Sequence, residues 1–461
     1  MNLKQILSLI LSFHLISNNL LFAASIEVDK NAASQHQATL KKAQNGVQIV
    51  NIVNPNSRGT SHNKFKTYNV ERSGLILNNS KKIVNTQLAG HILNNSNLKT
   101  NAKLILNEVT GTSKSLLRGY TEVAGVRADV IVSNPNGISV NGGGFINTKK
   151  AMLTTGTPTL KDGYLNGFNI NKGNIFIEGD GFNTNNIDRV ELYAKALSIN
   201  AKFYAKKLKI AVGENLVDLN GNVTSQEKVD SGVAIDSSIL GGIYANAIEL
   251  ISNDKGVGVN LPPEVFAQES LILNANGNIV LNNVIANNTL NIESKASSID
   301  INNKVFSKDI SLIANQNINI KEDNDLTLIS QDNLTIKAQN LTNKAYIYSG
   351  YDETLETINQ YATNDINVTN IQNEGLIAGY NLNIKSENIT NHGAIYTNNN
   401  MKIEADILDN FETIRSNNEI DLYIENSLNN NNMIYSDGNL TIASNKNHDK
   451  TNIINNSGII Q

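Results

Sequence analysis

Few residues of the chain have the type and spacing of a catalytic site. Asp218, Asp236 and Asp254 recur at steps of 18 residues, which could stack their carboxylates on successive turns of a repetitive fold. Converging carboxylates act as general acids and bases in enzymes that cleave glycans. However, residues 231–242 are rich in Gly and Ser, which predicts a loop around Asp236. We therefore hold a secreted glycan-active β-helix enzyme, of the polysaccharide lyase or hydrolase type, as the alternative hypothesis only.

No metal or cofactor site is predicted. The six histidines, at positions 14, 36, 62, 91, 392 and 448, lack the spacing of metal ligands, and the chain has no cysteine. The triplet at 142–144 lacks the following Lys and helix of a phosphate-binding loop. The net charge of −4 gives no indication of nucleic-acid binding.

The elements that would position any site are predicted to be strands. Apolar residues recur with a period of two, as where Leu334 and Ile336 alternate with Asn333 and Thr335. Such segments, bounded by Asn and Gly, continue to the end of the chain. With only 5 prolines and no pattern of period 3.6 after the first residues, long helices are not expected.

The strands also repeat as units. Similar tetrapeptides begin at residues 381, 400, 419 and 439, and a second register comprises Ile377, Ile395, Ile414 and Ile434. A repeat of about twenty residues that cannot bury its own apolar face is typical of a solenoid coil. Stacked at about 4.8 Å, such coils pair in parallel sheets. The pattern predicts an all-β, right-handed parallel β-helix with amide ladders formed by the recurrent Asn.

The first residues predict a signal peptide. Lys4 precedes a mostly apolar stretch, and small residues near Ala24 and Ser25 offer a cleavage site. The apolar stretch is too short to span a bilayer, and no later stretch is apolar enough for a membrane helix. The absence of cysteine excludes a disulfide framework, which fits a chain that is exported unfolded.

Several ordered motifs resemble one known family. Residues 49–70, followed by 74–80, closely resemble the start of two-partner-secretion exoproteins. This family includes filamentous haemagglutinins, high-molecular-weight adhesins, secreted haemolysins and contact-dependent-inhibition exoproteins. Residues 105–110 and 128–141 are similar to later parts of the same module, in the same order. The resemblance covers about residues 46 to 260.

Two motifs of the family are associated with secretion. The first is present as Asn134, Pro135, Asn136 and Gly137. The second survives as Asn95, Ser96, Asn97 and Leu98, with Ser where Pro is usual, which questions the rigidity of that turn because proline fixes φ. Both stretches are also good β-turn sequences. The resemblance therefore leaves two roles open, a structural turn and a direct contact with the transporter.

The resemblance implies an export mechanism and a domain order. Residues 1–25 form the signal peptide, 26–265 the secretion domain with short extra-helical strands, and 266–461 a β-helical shaft. The partner is a cognate outer-membrane β-barrel transporter with periplasmic domains, to whose sheet edges the extended chain could add. Outside the Gram-negative cell, a host-cell or neighbouring-cell receptor is a possible further partner. The final residues resemble the opening strand of another coil, so we expect a truncated exoprotein.

Overall fold

The computed structural model describes residues 25–226, 229–237, 241–321, 326–352, 357–444 and 453–461. Apart from Ser25, the predicted signal peptide lies outside these residues. The described residues form stacked, mostly parallel strands and one 3-10 turn, Ser34–His36, so the predicted all-β solenoid is confirmed. Within this part of the chain, no helix has the length and apolar character needed to cross a bilayer.

The strands are numbered in chain order. Those of the N-terminal half are β1 Ile26–Val28, β2 Thr39–Lys42, β3 Gln48–Asn51, β4 Thr60–Tyr68, β5 Leu75–Asn79, β6 Val84–Thr86, β7 Gly90–Ile92, β8 Leu104–Val109, β9 Ser115–Leu117, β10 Tyr120–Gly125, β11 Ala128–Ser133, β12 Ile138–Val140, β13 Gly143–Ile146, β14 Thr148–Thr154, β15 Thr157–Lys161, β16 Tyr164–Ile170, β17 Asn174–Ile177, β18 Phe182–Asn183, β19 Arg189–Ala194, β20 Ala196–Ile199, β21 Lys202–Val212, β22 Asn215–Asp218, β23 Val223–Ser225, β24 Val229–Ser237, β25 Gly242–Ser252 and β26 Lys255–Asn260.

Those of the C-terminal half are β27 Glu264–Ala275, β28 Ile279–Leu281, β29 Asn283–Ser294, β30 Ile299–Ile301, β31 Val305–Ala314, β32 Asn317–Ile320, β33 Leu326–Ser330, β34 Leu334–Asn343, β35 Tyr346–Ser349, β36 Tyr351–Asp352, β37 Thr357–Ile358, β38 Thr363–Asn373, β39 Leu376–Gly379, β40 Asn381–Lys385, β41 Asn388–Asn391, β42 Ala394–Thr397, β43 Asn400–Asn410, β44 Thr413–Ser416, β45 Glu419–Asn430, β46 Met433–Ser436, β47 Leu440–Ala443, β48 Ile453–Asn456 and β49 Ile459–Ile460.

Each coil contributes strands to three parallel sheets, which we call the first, second and third faces. The first face runs from β3 to β49, the second from β4 to β47 and the third from β9 to β48. A long strand such as β43 turns a corner and serves two faces, pairing with β40 on the second and β41 on the third. Three short strands per coil account for the period of about twenty residues.

The observed register confirms the predicted repeat. On the first face, Ile377 pairs with Ile395, Ile395 with Ile414, and Ile414 with Ile434. All four side chains point inward and are buried. Alternate residues face the core, and these are mostly Ile, Leu and Val, which fill a narrow interior continuously along the solenoid. The period-two pattern of the sequence is the direct cause of this arrangement.

The N-terminal end is closed by antiparallel strands. On the first face β2 pairs antiparallel with β3, and on the second face β1 pairs antiparallel with β4. These two strands satisfy the first edges of the parallel sheets, which would otherwise present unpaired backbone groups. We call residues 26–68 the N-terminal cap. One of its strands, β2, has pairing on one side only and all four of its residues are exposed.

Extra-helical strands cover outward apolar surface. The antiparallel pair β6–β7 packs on the first face, where Ile92 meets Ile49 and Ile76. A four-stranded antiparallel sheet of β15, β16, β22 and β23 packs on the second face. These strands confirm the extra-helical elements expected in the N-terminal part. The shaft has a further pair, β36–β37, which the sequence did not predict.

The prediction of a loop at residues 231–242 is wrong for the part of this segment that the structure describes. Residues 229–237 form β24, which pairs in parallel with β20 and β26 on the third face. Ala234 and Ile235 point into the core. The Gly- and Ser-rich composition of this segment therefore did not prevent it from forming a strand of the solenoid.

Candidate functional site

The Asn-Pro-Asn-Gly motif forms the corner between the second and third faces, after β11 and before β12. The backbone N–H of Gly137 donates to the carbonyl of Asn134 at 3.0 Å, closing a β-turn. The N–H of Asn136 donates to the side-chain Oδ1 of Asn134 at 2.9 Å, which is an Asx-turn inside the β-turn. Gly137 has a φ of 110°, a backbone conformation that glycine adopts more readily than other residues.

The amide groups of this motif bind the preceding coil. Asn134 is completely buried, and its Nδ2 donates to the carbonyl of Ser113 at 3.0 Å and to Oγ of Ser115 at 3.0 Å. Asn136 donates its Nδ2 to the carbonyl of Gly111 at 2.8 Å. Pro135 and Asn136 are half-buried. In the folded chain, the first Asn is therefore out of reach of a partner.

The second motif is built in the same way at the corner between the first and second faces. The N–H of Leu98 donates to the carbonyl of Asn95 at 3.3 Å, and the N–H of Asn97 donates to Oδ1 of Asn95 at 3.0 Å. Asn95 is buried, and its Nδ2 donates to the carbonyls of Ile52 and Asn78, both at 2.9 Å. Leu98 packs in the main core.

The missing proline does not prevent this turn. The Oδ1 of Asn95 supplies the acceptor that fixes the turn, and the backbone needs no ring at Ser96 to close it. Asn97 adds a donor bond from its Nδ2 to the carbonyl of Asn51 at 3.1 Å. The doubt about the rigidity of the turn is thus answered by hydrogen bonding, which replaces the conformational restriction of proline.

Another Asn-Pro-Asn sequence, at residues 54–56, supports the second motif. Oδ1 of Asn54 accepts the N–H of Lys99 at 2.7 Å and of Thr100 at 3.3 Å, immediately after Leu98. Sequence reasoning assigned Asn54 no role, although the repeated Asn-Pro-Asn sequence was the available signal. The motifs themselves lie at different corners of the solenoid. They are two separate turns and do not converge on one pocket.

The three candidate acids lie on separate elements, so they do not form the carboxylate stack that their spacing could have allowed. Asp218 belongs to the extra-helical β22, where Oδ1 accepts the N–H groups of Asn220 and Asn222. Asp236 is exposed on β24. Asp254 is buried and forms an ion pair of 2.6 Å with Lys195. The repeat of 18 residues fails because residues 215–225 leave the solenoid.

Two histidines that are distant in sequence meet at the N-terminal cap. The rings of His36 and His62 lie 4.6 Å apart, and Nε2 of His62 is 2.6 Å from Oε2 of Glu108. Burial raises the pKa of Glu108, but His62 and Lys64 outweigh it and lower that pKa overall. Burial of the ring lowers the pKa of His36. Among the described residues, no group of three or more His, Asp and Glu has metal-binding geometry.

Comparison with protein families gives one match to a domain. The model of the TPS secretion domain matches residues 24–281, which include both turns, the N-terminal cap and the extra-helical sheets over the first and second faces. The matched segment is more than half of the chain.

Relatives of known name share this part of the chain. A 16S rRNA endonuclease CdiA from Enterobacter cloacae is 41% identical over 295 residues, or 63% of this chain and 9% of the relative. A tRNA nuclease CdiA-2 from Burkholderia pseudomallei is 40% identical over 257 residues, or 54% of this chain and 8% of the relative. This chain thus spans less than a tenth of the length of these relatives.

A solved structure shares the fold. The crystal structure of a filamentous hemagglutinin secretion domain superimposes with a TM-score of 0.51 and 26% sequence identity. The alignment covers 64% of this chain and 93% of that domain. The similarity therefore extends through almost the whole of the solved secretion domain.

Proposed function

The chain belongs to the TPS secretion domain family, and on that premise we propose that residues 26–265 direct its export. The proposed partner is a cognate outer-membrane β-barrel transporter with periplasmic domains. Residues 266–461 are the exported shaft, a stalk of the adhesin or contact-dependent-inhibition type. The shaft would hold a terminal activity away from the cell surface and meet a host-cell or neighbouring-cell receptor.

The observation that supports this proposal is the construction of the two turns. In the folded chain the amides of Asn95 and Asn134 are buried and bonded to the preceding segment of the chain. A transporter can contact these groups only before the coils close. We therefore propose that the extended chain offers the motifs to the transporter, which pairs with it along sheet edges. Once outside, the same residues close the first corners.

This order of events gives the motif residues two successive roles. Asn134, Pro135, Asn136 and Gly137 act at one corner, and Asn95, Asn97 and Leu98 at the other. Because each coil contacts mainly its neighbours, folding that begins at these corners can propagate along the shaft. Coil formation outside the membrane would then oppose backward movement of the chain.

No observation favours the alternative of a glycan-active enzyme. The three acids that suggested it lie on the extra-helical sheet, on an outward surface and in a buried ion pair. The nuclease names of the relatives describe proteins of which this chain shares 8–9% of the length. We propose that this segment serves export and presentation rather than catalysis.

The proposal is tested by a secretion assay. The double substitution Asn134→Ala and Asn136→Ala, co-expressed with the transporter, is expected to lower the amount of chain outside the cell at least about tenfold, because both amides are lost. The matched control is Asn166→Ala with Asn171→Ala, two exposed amides of the same module. Pro135→Ser is expected to be exported within about twofold of the parent, since Ser96 fills the same place in the other turn. Normal export of the Asn134 and Asn136 variant would refute the assigned role.

A further inference from the structure

The charges of the chain are strongly segregated. Residues 31–107 contain ten Lys and Arg and one Glu, a net charge of +9, although the whole chain carries −4. Residues 108–461 contain 26 Lys and Arg and 39 Asp and Glu, a net charge of −13. The N-terminal end of the solenoid is therefore basic and the remainder is acidic. Such segregation indicates a partner of opposite charge at the basic end.

Part of this positive charge is compensated within the fold, and part is not. Lys64 pairs with Glu108 and Lys66 with Asp29. In the part of the chain that the structure describes, no acidic side chain lies within ion-pair distance of four other exposed lysines, which are Lys41, Lys42, Lys81 and Lys82. Two of them belong to β2 and two to the loop that enters the β6–β7 pair.

Two of these lysines, Lys41 and Lys42, line an apolar groove, which we call the cap groove, and the other two directly precede its lining residue Ile83. The groove has a volume of about 490 Å³ and lies between β2 and the β6–β7 pair. Ile49 and Ile92 form its floor, and Lys41 and Lys42 line one wall. His91, Ile83 and Leu93, from the β6–β7 segment, line the opposite wall. Asn94, which directly precedes the second motif turn, also lines the cap groove.

Two aliphatic side chains on the far wall project into solvent. Ile83 and Leu93 are each 64% exposed; Ile83 directly precedes β6 and Leu93 directly follows β7, at the same end of this pair. In the module, the β6–β7 pair and the four-stranded extra-helical sheet cover outward apolar residues of the first and second faces. Phe266, Ile272 and Ile313, further along the solenoid, are less exposed than Ile83 and Leu93, at 38%, 40% and 37%. Lysines alone would protect the open edge of β2 from pairing with other strands. That protection does not account for exposed Ile and Leu beside them.

The composition of this surface matches a lipid surface better than a protein or nucleic-acid partner. Protein interfaces are enriched in aromatic residues and Arg and depleted in Lys. Single-stranded nucleic acids stack on aromatic side chains, and the cap groove has no Phe, Tyr or Trp among its lining residues. Lysines with neighbouring aliphatic side chains instead combine attraction to anionic headgroups with insertion at the acyl boundary.

We propose that the cap groove docks on a membrane surface that exposes anionic phosphate headgroups. The lysines bind headgroup phosphates while Ile83 and Leu93 enter the outer part of the apolar layer. The acidic shaft is repelled by the same surface, so the solenoid stands away from the membrane on its basic end. This inference goes beyond export, and it does not depend on which transporter carries the chain.

The test measures binding of the mature chain to lipid vesicles by co-sedimentation. Vesicles of phosphatidylcholine and phosphatidylglycerol at about 3:1 are compared with pure phosphatidylcholine, and binding is expected only to the anionic vesicles. Replacing Lys41, Lys42, Lys81 and Lys82 by Glu should weaken binding at least about a hundredfold, because each lysine near such a surface contributes about fivefold. The matched control places Glu at Lys161, Lys172, Lys206 and Lys207, which are equally exposed, and should retain binding.

A second pair of variants tests the apolar contact. Ile83→Ser with Leu93→Ser should weaken vesicle binding about tenfold at unchanged charge. Leu160→Ser with Leu216→Ser, exposed on the extra-helical sheet, should leave it unchanged. Variants are first checked for an unaltered melting temperature, and Lys→Gln replaces Lys→Glu where folding suffers.

The proposal is overturned if anionic vesicles do not bind the parent chain, or if the control lysines matter as much as those of the cap groove. It is also overturned if polyglutamate binds the parent chain as tightly as anionic vesicles do and the two Ser substitutions leave vesicle binding unchanged. The surface would then be a general site for polyanions. No transporter is present in the assay. Its failure is therefore separate from a failure of the export proposal, which the secretion assay measures.

Discussion

The N-terminal module and the shaft both depend on asparagine, but they use its amide differently. In the module, Asn95 and Asn134 each donate to acceptors at one particular corner. In the shaft, buried amides bond to one another from coil to coil on the third face. This ladder runs through Asn343, Asn373, Asn391, Asn410 and Asn430, with Nδ2 to Oδ1 distances of 2.8, 2.7, 2.8 and 2.8 Å.

This difference means that the contacts of the module are specific to each position, whereas those of the shaft repeat from coil to coil. Each corner of the module has its own set of partners, so its sequence is tied to its position in the chain. Any ladder position has the same neighbours as the next, so the shaft can be lengthened or shortened without new contacts. A recognition module requires the first property, and a stalk requires the second.

The largest expected effect comes from interrupting the ladder. Asn410→Ala removes the acceptor of Asn391 and the donor to Asn430, so two buried polar groups lose a partner. Each such loss costs about 1–3 kcal/mol, and we expect the coil to lose about 2–5 kcal/mol of local stability. Hydrogen exchange of the peptides around residues 388–430 should accelerate at least about thirtyfold at the lower of these values.

The matched control for this change is Asn367→Ala, an exposed amide of the same shaft. Its exchange should equal that of the parent chain. If the two variants behave alike, the ladder contributes nothing beyond its backbone pairing. Unchanged hydrogen exchange in the module would show that the loss of stability is confined to the coils next to Asn410.

A smaller effect is expected at a single corner of the module. Gly137→Ala places a side chain at a φ of 110°, and its Cβ would lie 2.9 Å from the carbonyl oxygen of Asn174. Gly163 has a φ of 79° at the tip of the β15–β16 hairpin, with no atom within 4 Å of a Cβ. We expect Gly137→Ala to cost about 1–3 kcal/mol and Gly163→Ala less, as measured by thermal denaturation.

The pair of glycine variants separates backbone strain from steric conflict. Equal destabilisation of the two variants would mean that backbone strain at positive φ accounts for the whole loss of stability. The backbone at Asn174 would then move away from the new Cβ at little cost. A larger loss at Gly137 would show that its corner is packed against the next coil. The shaft offers an equivalent position at Gly350, which has a φ of 86° and whose added Cβ would lie 2.7 Å from Cβ of Ala362.

The sequence predicted the shaft better than the module. Residues 377–442 repeat closely enough that spacing alone gives the register of Ile377, Ile395 and Ile414 and the amide ladder. In the module, insertions that leave the solenoid interrupt the repeat. Asp218 falls in such an insertion, so counting from it to Asp254 compared residues on different sheets.

The turns show a similar division. Pattern recognition located Asn95 and Asn134, but which atoms they bind depends on the coil below. The contact of Asn54 with Lys99 joins residues 45 apart, and that of His62 with Glu108 joins residues 46 apart. Neither has a local signal in the sequence. The strand at 229–237 was missed because the Gly and Ser in this part of the sequence suggested a loop.

The smallest expected effect is a response of the cap to acid. Burial lowers the pKa of His36 below its usual 6.5, so the folded cap binds fewer protons there than the unfolded chain. The contribution of His36 to stability is complete above about pH 6.5 and is lost as pH falls through the folded pKa. Glu108 has a pKa below 4.5, which adds a second loss at still lower pH.

Replacing His36 by Gln should remove the first of these two losses, because glutamine can still donate to the carbonyl of His62 but does not titrate. Hydrogen exchange of residues 26–68, followed from pH 7 to pH 5 with correction for intrinsic rates, should then lose most of its pH dependence. His392→Gln, at an exposed ring on the shaft, should leave that dependence intact. If both variants keep the parent response, protonation of His36 is not what loosens the cap. In that case the acid sensitivity of the module has its origin in groups other than His36.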